Sequence, residues 1–168
     1  FLLVVVFRLP SLFMPHYYGD EEIYFVMGRA WREGVPLYLE MFDHKPPLIY
    51  VLAGIFPTMF SIRLMLLIMM SIHTWLFWEL AKSIWAKVGR PGLAYVSSII
   101  FVILTTSPWL EGLTVNAELL MMVPVTAAVL LLWKSQDETK PRVVTYGLAG
   151  LLLGMAWLYK IPVAADAA

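Results

Sequence analysis

Long apolar runs separated by short polar segments make up most of the chain, and this pattern predicts helices that cross a membrane. The four longest runs occupy residues 62–85, 93–107, 117–133 and 143–159. A transmembrane helix needs about 20 mostly apolar residues in succession. We therefore predict one span in each run, and we interpret residues 1–9 as the end of an earlier span.

A polar segment over residues 10–61 interrupts this pattern and begins with a predicted amphipathic helix. Asp20 is suited to cap that helix, which we expect to run to Glu33 and to stop at Gly34. On a helical projection the apolar side chains share one side: Ile23, Val26, Met27, Ala30 and Trp31. The charged residues lie on the other side, so we predict that this helix lies on the membrane surface.

A second short helix is predicted directly after Pro46 and Pro47. The apolar stretch over residues 48–60 is short for a span, and Pro57 interrupts its end. We therefore place it as another interfacial or partly inserted helix. The predicted fold class is all-α, a polytopic transmembrane helical bundle with amphipathic interfacial helices in its first outer loop.

The composition supports a membrane protein and excludes other classes. Hydrophobic residues make up 61% of the chain, charged residues make up 14%, and the mean hydropathy is +0.77. A soluble domain is about half apolar and about a quarter charged. The net charge is zero, which gives no electrostatic basis for nucleic-acid binding, and the absence of cysteine excludes disulfides and thiolate metal sites.

The basic residues of the short loops predict which side of the membrane each loop faces. The loops at 82–90 and 134–142 each contain three Lys or Arg residues, whereas the loop at 108–116 contains none. The positive-inside rule places the first two loops in the cytoplasm. Counting spans then places residues 10–61 outside. The outer side thereby collects Asp20, Glu21, Lys45, Glu118 and Lys160.

Each of these charged residues also has a purely structural interpretation. Asp20 can be only a helix cap, and Lys45 and Lys160 can be anchors whose ammonium groups reach the interface. Glu118 is less easily explained in this way, because a carboxylate near membrane depth is costly and suggests a function. His16 and His44 lie in the outer loop without the spacing of a metal site.

Several short motifs occur in an order that resembles one enzyme family. The first is Gly19-Asp20-Glu21 followed by Tyr24, and the second is Lys45-Pro46-Pro47-Leu48 within FDHKPPLIY. Asn116-Ala117-Glu118 and the closing AGLLLGMAWLYKIP follow in the same order. In this order the motifs are similar to those of GT-C glycosyltransferases, the protein O-mannosyltransferase-like enzymes that include aminoarabinose and lipopolysaccharide-core sugar transferases. The chain begins without Met, and we expect it to be the amino-terminal part of such a transmembrane domain.

The resemblance implies transfer of a sugar from a polyprenyl-phosphate donor to an acceptor hydroxyl on the outer face of the membrane. The acceptor class (glycan, lipid or protein) is left open, and the expected location is a bacterial or archaeal plasma membrane, in a role in cell-envelope glycosylation. The resemblance also implies catalytic roles for Asp20 and Glu21, with Asp20 as the general base. Donor-phosphate contacts are implied for Lys45, Arg29 and Tyr24, with Glu118, Lys160 and His44 as further site residues. A divalent metal, Mg²⁺ or Mn²⁺, is left open, with Glu21 and Glu118 as its oxygen ligands.

Two other classes of protein remain as alternatives. A transporter or channel subunit is expected to have charges near the bilayer midplane or helices broken there. Pro124, inside the run at 117–133, is the nearest such feature. A membrane scaffold without catalytic activity would explain the spans, but it would not explain acidic residues and a lysine gathered on one side.

Overall fold

The protein is all-helical in the computed structural model, which describes residues 2–15, 18–136 and 143–161. His16, residues 137–142 and Pro162 lie outside the described residues, and so does most of the basic loop at 134–142. The α-helices within the described ranges are α1 (Leu2–Arg8), α2 (Gly19–Arg32), α3 (Leu48–Ile55), α4 (Met59–Lys87), α5 (Leu93–Thr105), α6 (Ala117–Ser135) and α7 (Val143–Trp157). The predicted all-α class is confirmed.

Two of these helices, α4 and α6, are long and apolar enough to cross a membrane. The predicted spans at 93–107 and 143–159 correspond to α5 and α7, which have 13 and 15 residues. At 1.5 Å per residue they are only about 20 Å long, against about 30 Å of hydrocarbon. The number of membrane crossings therefore stays a prediction.

The predicted second surface helix is shorter than expected, because α4 begins earlier than expected. Thr58 caps α4: its side chain accepts a hydrogen bond from the backbone N–H of Ser61, and the Ser61 hydroxyl accepts one from Thr58. This reciprocal capping box fixes the start of a helix. Phe60, predicted to end the second surface helix, therefore belongs to α4, and α3 ends before Pro57.

The start of α2 differs from the prediction in a way that matters for the site. Tyr18 occupies the N-cap position in extended conformation, so Asp20 lies inside the first turn and does not cap the helix. The end of the helix is as predicted. Gly34 adopts a φ of +88°, and the N–H of Val35 bonds back to Ala30 at 2.9 Å, which is the Schellman arrangement.

Only part of the predicted apolar side of α2 packs inside the protein: Met27 is buried, and the covered face also includes Tyr24 and Gly28. Tyr24 and Gly28 are buried against α3, while Ile23 and Val26 stay exposed. Gly28 allows the two helices to touch, since a Cβ there would lie 2.5 Å from the backbone nitrogen of Gly54. Shape, rather than the apolar stripe alone, decides which face of α2 is covered.

The long helix α4 is the centre of the packing, and it contacts α1, α5 and α6. Glu79 near the end of α4 lies 3.2 Å from the ammonium of Lys134 near the end of α6, so these two helices end on the same side. Lys160, after α7, pairs with Glu118 at the start of α6. The opposite end of the molecule therefore collects the beginning of α2, the loop before α3 and the start of α6.

Candidate functional site

Lys45 is the centre of the candidate site, and it is held between two carboxylates. Its ammonium lies 3.0 Å from Oδ2 of Asp20 and 3.9 Å from Oδ2 of Asp43, and only 7% of the side chain is exposed. The ring of Tyr24 lies beneath the ammonium, with its centroid 5.2 Å from Nζ. Since one cation meets two anions, the cluster has a net charge of minus one.

The two carboxylates around Lys45 are held to different degrees. Asp43 accepts hydrogen bonds from the Tyr50 hydroxyl at 2.6 Å and from the backbone N–H of His44 at 2.8 Å. Asp20 accepts a long one, 3.3 Å, from the Tyr24 hydroxyl, and its side chain is 36% exposed against 12% for Asp43. Asp43 is therefore the fixed partner of Lys45, and Asp20 is the partner that can move away.

The pKa values of these groups follow from burial and hydrogen bonding. Desolvation alone would raise the pKa of Asp43, but the bond from Tyr50, the bond from the His44 N–H and the charge of Lys45 together lower it. Burial, with the nearby Asp20 charge, raises the pKa of Tyr24 well above its ordinary value. Burial and the Asp43 carboxylate do the same for Tyr50. Asp43 therefore remains an anion, and both hydroxyls remain donors, across the physiological pH range.

Two non-glycine residues with left-handed backbone conformation adjoin this cluster. Tyr38 has a φ of 68°, and its hydroxyl donates to the backbone carbonyl of Lys45 at 2.7 Å. Glu111 has a φ of 54°, and its side chain accepts a hydrogen bond of 2.6 Å from the Tyr18 hydroxyl beside the start of α2. Non-glycine residues adopt this conformation at an energetic cost, and such residues are concentrated at functional sites.

Glu21, which the sequence predicts to be catalytic and metal-binding, forms a buried ion pair. Its Oε2 lies 2.7 Å from Nη2 of Arg63, and its Oε1 accepts the backbone N–H of Val115 at 2.7 Å. Both side chains are almost completely buried. The pair joins α2, α4 and the loop before α6. A metal at Glu21 would have to displace Arg63, and the described residues contain no group of three or more acidic, His or Cys side chains suited to a metal.

Glu118 and Lys160 lie at the same end of the molecule and are paired with each other. The Glu118 side chain is half exposed. The pKa of Tyr24 is raised mainly by burial and by the charge of Asp20, and the charge of Glu118 makes a smaller contribution. The predicted meeting of Asp20 and Lys45 is observed as a direct contact, whereas the ion pair of Glu118 is made with Lys160.

The remaining predicted donor-phosphate residues are less favourably placed. Arg29 is nine residues beyond Asp20 on α2, so about 13 Å of helix rise separates them. It pairs with Glu33 at 2.9 Å, with 81% of its side chain exposed. Arg29 therefore does not share a phosphate with Lys45. Tyr24 is fully buried and its hydroxyl donates to Asp20, so it supports the cluster from below.

A cavity of about 380 Å³ opens beside the cluster. Lys45, Asp43 and His44 form its polar wall. His44 is exposed, with its ring Nδ1 2.9 Å from Asp43. The rest of the lining is mostly apolar or aromatic and includes Tyr38, Phe42, Pro46, Pro47, Trp157 and Leu158. The cavity can therefore accommodate a molecule that combines an apolar portion with a polar group directed at Lys45.

The sequence prediction missed Asp43, Tyr38 and Tyr50, whereas Tyr24 was among the predicted site residues. Asp43 stands two residues before Lys45 in the same motif, and this spacing was the available signal. Tyr50 follows Asp43 by seven residues. Arg63 and Glu111 are distant in the sequence and reach the beginning of α2 only through the tertiary fold. Comparison of the chain with protein-family models, with curated proteins and with solved structures gives no match.

Proposed function

We propose that this protein transfers a sugar from a polyprenyl-phosphate donor to an acceptor hydroxyl, with Asp20 as the general base and Lys45 at the donor phosphate. The observation that carries the proposal is the 3.0 Å contact between Lys45 and Asp20 beside an apolar cavity. A transferase of this kind needs a base for the acceptor and a cation for the leaving group within one substrate's length of each other.

The charge of the cluster suggests an order of events. A donor phosphate that approaches Lys45 meets two carboxylates, and like charges in one site repel. Asp43 is fixed by Tyr50, while Asp20 is 36% exposed and accepts a long hydrogen bond of 3.3 Å from Tyr24 beside its ion pair with Lys45. We infer that the phosphate replaces Asp20 at the ammonium. Asp20 is then released from its cation and is available to accept the hydroxyl proton of the acceptor.

The bond changes of the proposed reaction balance without a further reactant. The acceptor oxygen forms a bond to the anomeric carbon of the sugar, and the bond from that carbon to the phosphate oxygen breaks. The bonding electrons leave with the polyprenyl phosphate, whose charge Lys45 stabilises. The hydroxyl proton passes to Asp20. Asp43 keeps its charge throughout and holds Lys45 in position.

The surface of the helices supports a membrane location for this reaction. Large apolar side chains are exposed along α5 and α7, among them Ile99, Ile103, Leu148 and Leu151. Extended exposed apolar surface is typical of contact with lipid or with another protein. Together with the two helices long enough to cross a bilayer, it favours the predicted multi-span arrangement, with the cavity beside Lys45 at the outer membrane surface.

The transporter alternative has less support than the transferase. Pro124 is buried inside α6, and the helix continues through it without a break. The scaffold alternative leaves the Lys45 cluster unexplained, because a buried lysine between two acids is not required to hold α2 against α3.

Asp20→Asn tests the proposal directly. The change keeps the volume of the side chain and removes its ability to accept a proton. Since Tyr18 is the N-cap, helix α2 does not depend on the carboxylate for capping. We expect sugar transfer from a polyprenyl-phosphate sugar to fall by about 10²–10⁴-fold. The assay uses the purified full-length protein, with insertion and thermal stability measured in parallel.

Lys45→Met is the companion variant, because it keeps the apolar stem of the lysine. It should weaken donor binding and slow the step in which the phosphate leaves. An Asp20→Asn protein that transfers sugar as fast as the unchanged protein, at equal stability, would disprove the assignment of the base.

A further inference from the structure

A second cavity, of about 580 Å³, lies away from the Lys45 cluster. It is enclosed by the second half of α2, the end of α3 and the start of α4. Arg29, Arg32 and Glu33 form its polar side, and its apolar side includes Phe25, Ala53, Pro57 and Met59. The proposed sugar transfer assigns no role to this cavity.

The charges on the polar side of the cavity favour an anion. Arg29 shares its Nε with Glu33 in an exposed i, i+4 pair. Such pairs contribute little, so an anion of higher charge can displace the carboxylate. Within the described part of the chain, the side chain of Arg32 makes no hydrogen bond or ion pair. Two guanidinium groups three residues apart on one helix can bind a phosphate through several N–H donors.

An apolar groove begins where this cavity ends. It has a volume of about 310 Å³ and is lined by Phe56, Phe60, Ser61, Leu64, Met65, Ile68 and Met69. Phe60, Leu64 and Ile68 are four residues apart, so they form a stripe along α4. The first lining residues of the groove, Phe56 and Phe60, adjoin Pro57 and Met59 of the cavity. The polar cavity and the apolar groove therefore lie next to each other at the start of α4.

We propose that this cavity and groove bind a phosphorylated lipid at a site distinct from Lys45. Its phosphate would lie between Arg29 and Arg32, and its first acyl or prenyl carbons would follow the stripe on α4. An inorganic phosphate would satisfy the arginines but would leave the groove empty. The proposal does not depend on the sugar transfer, since it uses none of the residues of the Lys45 cluster.

The test measures binding of dioleoyl phosphatidic acid to the full-length protein in detergent, by native mass spectrometry and by thermal shift. Dioleoylglycerol, which lacks the phosphate, and inorganic phosphate at equal concentration are the comparison ligands. We expect phosphatidic acid to bind, and we expect the affinity of the Arg29→Gln/Arg32→Gln variant to be at least about tenfold lower. Glu33→Gln should raise the affinity, because it removes the competing carboxylate.

Two controls separate this site from general effects of charge and folding. Lys87→Gln/Arg90→Gln removes the same number of positive charges from the other end of α4 and should leave the affinity unchanged. Ile68→Ser, in the groove, should weaken binding of the dioleoyl lipid but not of dihexanoyl phosphatidic acid. Equal binding by the unchanged protein and the double arginine variant would overturn the proposal. Inorganic phosphate that competes as well as the lipid would overturn it too.

Discussion

The ion pairs of this protein differ in burial, and burial decides what each contributes. Glu21 and Arg63 are almost completely buried, and their guanidinium and carboxylate are fully hydrogen-bonded. Arg63 also donates to the backbone carbonyls of Ser11 and Met14. Arg29 and Glu33 are mostly exposed. Removing one partner of a buried pair leaves an isolated charge away from water, whereas an exposed partner is simply hydrated.

Glu21→Gln should therefore destabilise the protein by about 3–5 kcal/mol, because Arg63 loses its counter-charge in the interior. The measurement is thermal unfolding in detergent. Glu33→Gln is the matched control and should cost less than about 0.5 kcal/mol. If both variants unfold at the same temperature, the buried pair does not hold α2 to α4.

A pH dependence follows from the lowered pKa of Asp43. A carboxylate whose pKa falls on folding stabilises the folded state fully above its ordinary pKa of about 4. That contribution is lost as the pH falls through the lowered value. Asp43→Asn lacks the contribution at every pH. The difference in melting temperature between the two proteins should be largest near neutral pH and should shrink below pH of about 4.

Tyr50→Phe provides the control for that pH dependence. It removes the hydroxyl that donates to Asp43 and leaves the carboxylate in place. Because the pKa of Asp43 in the folded protein is then lowered less, the loss of stability on acidification should be smaller than in the unchanged protein and should be complete at a higher pH. A melting-temperature difference for Asp43→Asn that stays constant from pH 7 to pH 3 would contradict the lowered pKa.

At the scale of the helices, the sequence predicts what depends on periodicity and local turn chemistry. The long apolar runs give the helices, and Gly34, which adopts a positive φ, gives the end of α2. The start of α4 was predicted too late, because Pro57 was taken as an interruption near the end of the preceding helix, whereas Thr58, the next residue, caps α4. The burial of Gly28 was not predicted, because it depends on two glycines, 26 residues apart, that allow close contact there. Periodicity contains no information about such a crossing.

Only part of the site could be predicted from the sequence, because the rest depends on how the helices pack. The contact between Asp20 and Lys45 follows from motifs whose order is visible in the sequence. The assignment of Asp20 as a cap was wrong, since an aromatic residue in extended conformation precedes the helix. The division of roles between Asp20 and Asp43 depends on which tyrosine reaches which carboxylate, and that is decided by how α2 packs on α3.

The glycine crossing gives a prediction at this scale. Gly28→Ala places a Cβ 2.5 Å from the backbone nitrogen of Gly54, and backbone atoms cannot turn aside as a side chain can. We expect a loss of about 1–3 kcal/mol and a shift of α2 that separates Asp20 from Lys45. Thermal unfolding and the transfer assay measure the two effects. Gly147→Ala, with open space around its Cβ, should be neutral or stabilising. Equal behaviour of the two variants would mean that α2 does not depend on this contact.

For the molecule as a whole, the distribution of charge follows the length of α4. Most of the acidic residues lie around its beginning, together with Lys45, Arg29 and Arg32. Lys82 and Lys87 lie towards its end, with Glu79 beside Lys82, and Arg90 follows directly after it. The helix has 29 residues, which is about 43 Å at 1.5 Å per residue. That exceeds the hydrocarbon thickness of a bilayer, so its two ends can face different compartments.

This separation gives the last prediction. The chain contains no cysteine, so single substitutions can be labelled without background. Glu40→Cys and Trp109→Cys are exposed at the end that holds the Lys45 cluster, and Arg90→Cys is exposed at the other end. By the positive-inside rule, the first two should react with an impermeant thiol reagent in intact cells. Arg90→Cys should react only after the membrane is permeabilised. Reaction of Arg90→Cys but not Glu40→Cys in intact cells would invert the orientation and place the proposed sugar transfer on the cytoplasmic side. Reaction of all three in intact cells would mean that α4 does not cross the membrane.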